Sequence, residues 1–221
     1  MFDAIARRYD LLNRVLSGGI DQSWRRKAVA MLRSENPRRI LDLATGTADL
    51  AIQAMALDPE RVVGVDLSSK MLEVGREKIR RRGLEDHIQL LEGDAENLPF
   101  GKAEFDAILV AFGVRNFGDL GRGLAEMRRV LRPGGCAVVL EFSHPTTVPI
   151  KQIYAFYSRY VLPRLGGAIS GDAGAYRYLP ASVAAFPDGE AFLRRMESAG
   201  FRDLRAVRLT FGVASLYFGR A

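Results

Sequence analysis

The stretch RILDLATGTADL, residues 39–50, is a short apolar run that ends in an acid and a turn of small residues, then enters a helix-like pattern. The same rhythm returns downstream. RVVGVDLS (61–68), IQLLEGDAENLPF (88–100), EFDAILVAFGV (104–114) and CAVVLEFS (136–143) are further apolar runs, and the segments at 70–82 and 119–131 read as helices between them. Strands alternating with helices predict parallel strands joined by crossover helices on both faces of one sheet. Burial on both sides explains why the runs are continuously apolar. Pro133-Gly134-Gly135 is expected to be a turn. A helix from about Asp188 to Ala199, capped by Gly200, leads into two last strands at about 203–209 and 211–218. Their short connection predicts an antiparallel hairpin at the sheet edge. The expected fold class is α/β and Rossmann-like: a mostly parallel seven-stranded sheet with an antiparallel last strand.

Outward from this core, residues 3–17 place Ile5, Tyr9, Leu12 and Leu16 at helical spacing. Gly18-Gly19 stops that helix, and Asp21 is expected to cap a second one that carries Trp24, Ala28 and Met31 on one face and ends at Asn36-Pro37. Residues 145–185 break the strand–helix rhythm. They are rich in aromatics (Tyr154, Phe156, Tyr157, Tyr160, Tyr176, Tyr178) and too long for a simple connection. The chain therefore reads as one domain in four parts: an N-terminal helical cap (1–36), a ligand-binding core (37–143), a helical lid insertion (144–186), and a C-terminal helix with a β-hairpin (187–221).

A length of 221 residues suits one domain with a substantial core, and 48% apolar against 26% charged residues excludes wholesale disorder. No apolar run approaches the ~18 to 20 residues of a membrane span. The charged start MFDAIARRYD lacks a signal peptide's apolar core. Cys136 is the only cysteine, so an intrachain disulfide is excluded and a reducing, cytoplasmic setting is expected. His87 and His144 stand far apart with no carboxylate cluster, which argues against a catalytic metal. The net charge is +6, and 27 of the 32 basic residues are arginine, with short clusters at 25–27 and 80–82. Such charge suits solvated helix faces, anionic lipid headgroups or RNA.

In open parallel sheets, ligands bind outside the carboxyl ends of the strands, where strand order reverses. The first strand end offers one glycine, Gly46, in a small-residue turn. There is no G-x-G-x-x-G to seat a diphosphate, so a dinucleotide is not expected. The second strand ends in Asp66, whose carboxylate can accept both hydroxyls of a ribose. The third ends in Gly93-Asp94-Ala95, where an acid and an adjacent amide can read the edge of adenine. In this order the three ends describe an adenosine ligand without pyrophosphate, and S-adenosylmethionine is the cofactor expected.

LDLATGTADL, VVGVDLS, GDAENLPF and VLRPGG resemble the class I methyltransferase motifs. A narrower set adds FDAIARRYDLLNRVLSGGIDQSWRR (2–26), AFGVRNF (111–117), LEFSHP (140–145) and YRYLPASVAAFPD (176–188). Over nearly the whole chain it resembles the UbiE/MenG family, which methylates a ring carbon of demethylmenaquinol or of a ubiquinol precursor. Sequences of that family commonly start some residues earlier, so Met1 need not be the natural start. The resemblance implies that Thr47, Asp66, Asp94 and Ala95 hold the cofactor, beside Gly46 and Ala111. It also implies that Arg115 and Asn116 face the substrate ring. Tyr9, on a helix that folds over the cofactor in this family, is expected to line the ring pocket, to bond the cofactor carboxylate, or to pack in the core. Two positions depart from the family pattern. Ala48 stands where many members have glycine, with a methyl expected to narrow the methionine end. Ala111 stands where several have serine.

A ring carbon of a hydroquinone becomes nucleophilic once a neighbouring hydroxyl ionises. A guanidinium in a dry pocket favours that anion, which is the role expected of Arg115 unless it forms a structural ion pair under the loop, while Asn116 hydrogen-bonds a quinol oxygen. Arginine cannot itself be the base at its normal pKa, so a water polarised by Arg115 is the expected proton acceptor. Glu141 either orients Arg115 or caps a loop, and His144 is either a general base or a loop residue. The aromatic segment either packs as a connection or shelters an isoprenoid tail, with Lys151, Arg159 and Arg164 suited to a membrane interface. Expected partners are a lipid-soluble quinol, a membrane touched peripherally from its inner face, and a second copy in a homodimer; nucleic acid is not expected. Demethylmenaquinol is the first substrate reading and a ubiquinone-pathway benzoquinol the second. Other readings are methylation of another small molecule or of RNA, and a non-catalytic basic RNA-binding protein. Against amino methylation of nucleic acid, AFGVRN stands where such enzymes carry an Asn/Asp-Pro-Pro-aromatic motif.

Overall fold

The computed structural model describes residues 17–157 and 180–221, together with Ala6, Asp10, Arg14 and Tyr160. Seven strands, β1 (Arg39–Leu43), β2 (Arg61–Asp66), β3 (Ile88–Glu92), β4 (Phe105–Ala111), β5 (Leu131–Phe142), β6 (Arg202–Leu209) and β7 (Ala214–Arg220), form one sheet in the order β3-β2-β1-β4-β5-β7-β6. Pairing is parallel from β3 across to β5, and β7 runs antiparallel to both β5 and β6. This is the expected sheet, and its strand order reverses between β1 and β4. The helices include α1 (Ile20–Ala30), α2 (Asp49–Ala54), α3 (Ser69–Arg80), α4 (Leu120–Val130), α5 (Ile150–Phe156) and α6 (Glu190–Ser198).

Alternate strand residues feed two cores. Ile40, Val62, Leu109, Val138 and Leu216 pack with Trp24, Leu50 and Leu72 on one face. Leu41, Val63, Val110, Val139 and Tyr217 pack with Leu124, Met127 and Phe192 on the other. The middles of the central strands are therefore mostly apolar, because neither of their faces meets water. The edge differs: β6 keeps Arg202, Arg205, Val207 and Arg208 exposed.

Gly18 and Gly19 take positive φ (60° and 79°), and the Gly19 N–H donates to the Arg14 carbonyl at 2.7 Å, so the expected break is there. Asp21, however, does not cap α1. It lies within the first turn, behind Gly19, and its carboxylate pairs with the buried Arg25 one turn on while accepting from the Ser17 hydroxyl at 2.8 Å. A buried guanidinium binds a carboxylate more strongly than a backbone N–H does. Pro133-Gly134-Gly135 is likewise not a turn between elements. Phe105 pairs with Leu131 and Ala107 with Cys136, so residues 132–135 bulge out of one long β5, with Gly134 at φ 79°. Expectations for Ile5, Tyr9, Leu12, Leu16, Arg159, Arg164, Tyr176 and Tyr178, and for most of the lid, lie outside the described residues. Among the described residues no helix is long and apolar enough to cross a membrane.

Candidate active site

At the carboxyl end of β1 the chain turns through Ala44 (φ 52°), Gly46 (φ 55°) and Ala48 (φ 64°) before α2 begins. Two of these left-handed positions are alanines, each strained by roughly 1–2 kcal/mol. Four hydrogen bonds hold the turn in place. The Thr45 N–H donates to the Val65 carbonyl at 3.0 Å, the Ala48 N–H to the Thr45 carbonyl at 2.9 Å, the Gly46 N–H to Asp66 Oδ2 at 2.8 Å, and the Thr45 hydroxyl to Asp42 Oδ2 at 2.6 Å. The methyl of Ala48 is fully buried and packs toward Gly75 of α3, where a Cβ would come within 3.2 Å of it. It does not narrow the cleft, because the left-handed backbone turns it inward.

Asp66 closes β2 and accepts on both oxygens, Oδ2 from Gly46 and Oδ1 from the Ser68 N–H at 2.9 Å. Asp66 also lines the cleft, where a carboxylate is a strong acceptor for ligand hydroxyls. Beyond β3, Asp94 is exposed and its Oδ1 accepts the Glu96 N–H at 2.9 Å. Glu96 in turn accepts from the N–H groups of Gly118 (2.6 Å) and Asp119 (3.0 Å), tying the loop after β3 to the loop after β4. At the end of β4, Phe112 stands at φ 59°. Gly113 follows where a Cβ would lie 2.5 Å from the Ala44 Cβ, so only glycine lets the β4 turn meet the β1 turn.

These strand ends enclose a cleft of ≈ 220 Å³ at the reversal of strand order. Of the residues expected in the site, Gly46, Asp66, Asp94, Ala95, Ala111 and Asn116 line it. Leu67, 70% exposed, and Met71 add apolar wall beside the acid. An acid for two hydroxyls, a polar edge at Asp94–Ala95 and apolar cover form a donor set that fits the adenosine of S-adenosylmethionine.

Two expected residues sit elsewhere. Thr47 is buried behind the turn; its hydroxyl donates to Asp10 Oδ1 at 2.5 Å and accepts from Lys78 Nζ at 2.9 Å. Lys78 also bridges Asp10 (2.7 Å) and Asp49, so Thr47 helps to fasten the opening segment to the core. Burial works to raise the Asp49 carboxyl, but the Lys78 ammonium holds it below its usual range. Arg115 follows Gly113 as expected, yet its guanidinium is not an uncompensated cation facing the cleft. Nη1 pairs with Glu141 Oε1 at 2.8 Å and donates to the Phe112 carbonyl at 2.5 Å. The guanidinium lies 5.4 Å from the centroid of Phe142, and Nε is buried with no hydrogen-bond partner among the described residues. Glu141 is fully buried; burial raises its carboxyl, and Arg115 opposes that. A buried acid holds the arginine under the loop, so the positive charge of Arg115 is paired with Glu141. Asn116 sits on the cleft side of the same turn, with Nδ2 3.4 Å from the Phe112 carbonyl.

Tyr9 lies outside the described residues. His144 is exposed; its N–H donates to Asp188 Oδ2 at 2.7 Å and its Nδ1 lies 3.1 Å from the same oxygen, away from the cleft. Cys136 is buried and its thiol is pushed up to about 12 by burial, consistent with packing. Sequence reasoning missed Asp42 and Gly113. Asp42 is a carboxylate inside a strand buried on both faces, a placement that always calls for a reason. Burial pushes its pKa up to about 7, against the pull of the Thr45 hydroxyl, and Oδ1 has no hydrogen-bond partner among the described residues.

The chain is similar to known proteins along its whole length. The family model described as the ubiE/COQ5 methyltransferase family matches residues 1–221. A Thermus thermophilus protein named demethylmenaquinone methyltransferase is 52% identical over 220 residues, 99% of each chain. A Geotalea daltonii protein named ubiquinone/menaquinone biosynthesis C-methyltransferase UbiE is 46% identical, covering 99% of this chain and 94% of that one. Among solved structures, a putative S-adenosyl-L-methionine-dependent methyltransferase from Methanococcus maripaludis superposes with a TM-score of 0.71 at 16% identity, over 99% of this chain and 93% of that one, a likeness of fold. On this whole-length similarity, the chain belongs to the ubiE/COQ5 methyltransferase family.

Proposed function

We propose that this chain methylates a ring carbon of a prenylated quinol with S-adenosylmethionine as methyl donor, and that demethylmenaquinol is the substrate. The observation that carries the reading is one cleft with Asp66 and Asp94 on one side and Asn116 on the other. The name of the Thermus relative supports demethylmenaquinol, and the double name of the Geotalea relative supports a ubiquinone-pathway benzoquinol as the second reading. S-adenosylmethionine bound along Asp66 supplies an electrophilic methyl group. The chain's own work is to hold the ring in line with it, which lowers the barrier by several kcal/mol. Asn116 donates its amide to a quinol oxygen and favours the ring as phenolate, and the phenol proton leaves to water at the mouth of the cleft; the C–H proton of the methylated ring carbon then passes through water to the quinol oxygen, which restores the aromatic ring. Arg115 and Glu141 act from beneath by fixing the turn that carries Asn116. Peripheral contact with the inner face of a membrane goes with a substrate that resides in lipid.

Two outcomes follow. Asp66→Ala is expected to weaken S-adenosylmethionine binding by about 2 kcal/mol, because the ribose loses a charged acceptor and the Gly46 N–H loses its anchor. Calorimetry with equal affinity in both proteins would remove Asp66 from the site. Methylation is also expected to require the reduced ring, since an oxidised quinone has no hydroxyl to ionise and its ring carbon is electrophilic. Labelled S-adenosylmethionine is incubated with short-chain demethylmenaquinone, reduced in one arm and oxidised in the other, followed by mass analysis. Product one methyl group heavier is expected in the reduced arm alone; turnover of the oxidised ring would sink the reading.

A further inference from the structure

The connection between β6 and β7 carries a feature that the methyl-transfer site does not use. Thr210 and Phe211 both stand at positive φ (45° and 57°), and the Phe211 side chain is 75% exposed. A left-handed phenylalanine is costly, and burial does not repay it here. The tip abuts the segment leading into α5. Arg208 Nη1 donates to the Thr146 hydroxyl at 2.7 Å, and a Cβ on Gly212 would lie 3.4 Å from the Pro145 Cα. From there the apolar exposure continues through Val148 (65%) to Ile153 and Phe156 (61% each) and Tyr160 (42%). Ile153 and Phe156, three residues apart, share one face of α5, and the Phe156 and Tyr160 rings meet at a tilt with centroids 5.2 Å apart. Exposed Lys151 and Arg208 flank these side chains. Asp188, an acid that meets this segment, accepts the His144 backbone N–H at 2.7 Å.

The same tip reaches inward. Trp24 Nε1 donates to the Thr210 hydroxyl at 2.8 Å, and the Trp24 ring lies 6.2 Å from Phe112, which lines the cleft. The turn that carries Phe211 is thus linked through Trp24 to Phe112 in the wall of the cleft.

We propose that Phe211, Val148, Ile153 and Phe156, flanked by Lys151 and Arg208, form the surface by which this protein docks on an anionic lipid bilayer. The proposal rests on the quinol reading for its purpose and on the patch for its geometry. Apolar side chains enter the acyl boundary and the flanking cations meet the headgroups, in line with the chain's net charge of +6. Docked in this way, the protein takes its substrate from the bilayer without exposing the isoprenoid tail to water.

The test is flotation of the full chain with vesicles of phosphatidylglycerol and phosphatidylcholine in equal parts, and with phosphatidylcholine alone. The wild type is compared with the triple variant Phe211→Ser/Ile153→Ser/Phe156→Ser. Wild type is expected to float with the anionic vesicles, less so as salt rises, and the variant's binding is expected to be about tenfold weaker or more. Turnover on a water-soluble short-chain quinol is expected to be equal in the two proteins, while turnover on a long-chain quinol embedded in the vesicles falls in the variant. Equal flotation of both proteins, or none by the wild type, would overturn the proposal. So would a wild type that runs as a dimer and a variant that runs as a monomer, since the patch would then join copies. Loss of turnover on the soluble quinol in the wild type would instead count against the methyl-transfer reading and leaves flotation as an independent measurement.

Discussion

Arg115→Ala is expected to cost about 3–5 kcal/mol of folding stability, the range for stranding one member of a buried ion pair. Glu141 is fully buried, and Arg115 is the cation paired with it at 2.8 Å. Without that cation the carboxylate must protonate or open the core. Arg115→Lys is also expected to be damaging, because the guanidinium engages Glu141 and the Phe112 carbonyl together and an ammonium lacks that planar fork. Arg115→Met combined with Glu141→Leu removes both charges and is expected to recover most of the stability. Methyl transfer in that double variant should nevertheless stay about 100-fold below wild type, because the turn carrying Asn116 is no longer fixed and a small misplacement costs that much. Cofactor affinity should barely move. Urea unfolding and single-turnover rates check these outcomes. A pH–rate profile separates the two roles considered for Arg115. If the guanidinium lowered the quinol's pKa, higher pH would rescue the variants; if it positions the turn, as the ion pair indicates, the rate deficit is constant with pH. Normal stability and turnover in Arg115→Ala would remove the pair from both roles.

The second large effect concerns Asp42 and pH. Its carboxyl has an ordinary value of 3.8 and is pushed to about 7 in the folded chain, chiefly by burial. The folded state therefore holds this proton more tightly than the unfolded state does. Stability from this group is fully present below about pH 4 and is lost as pH rises to about 7, by an amount on the order of 4 kcal/mol. Asp42→Asn, which keeps the shape and an oxygen for the Thr45 hydroxyl, is expected to flatten that slope and to be more stable than wild type above neutrality. Unfolding free energies measured across this pH range check it. A slope identical in the two proteins would mean that Asp42 is ionised in the folded chain at every pH in the range.

The strand ends were legible because their chemistry is local. Gly46, Asp66 and Asp94–Ala95 each follow an apolar run by a residue or two, and parallel topology alone brings such ends together. What was not legible depends on partners distant in sequence. Glu141 lies 26 residues from Arg115; the sequence offers the two as partners, but AFGVRN leaves open whether the guanidinium pairs under the loop or faces a substrate ring, and only the fully buried position of Glu141 on β5 decides for the pair. Thr47 belongs to a motif read as a ligand contact, yet Lys78 and Asp10 engage its hydroxyl, and only the packing of α3 against the first turn brings them there. Asp21 has the composition of a cap, and its capture by Arg25 rests on both side chains being buried together. Gly113 lies within AFGVRNF, but the close approach that requires it joins two turns that are far apart in the chain, so the motif did not show its purpose.

The exposed edge of the sheet is guarded against its own kind. If two copies of β6 met antiparallel about Arg205, that residue would face its twin and Arg202 would face Arg208, so every guanidinium on the strand would lie opposite another. Like charges directly opposite one another destabilise a ladder, and cations on an edge are a means of keeping sheets from joining. The arginines of β6 therefore disfavour the edge-to-edge joining of copies of this chain into longer sheets.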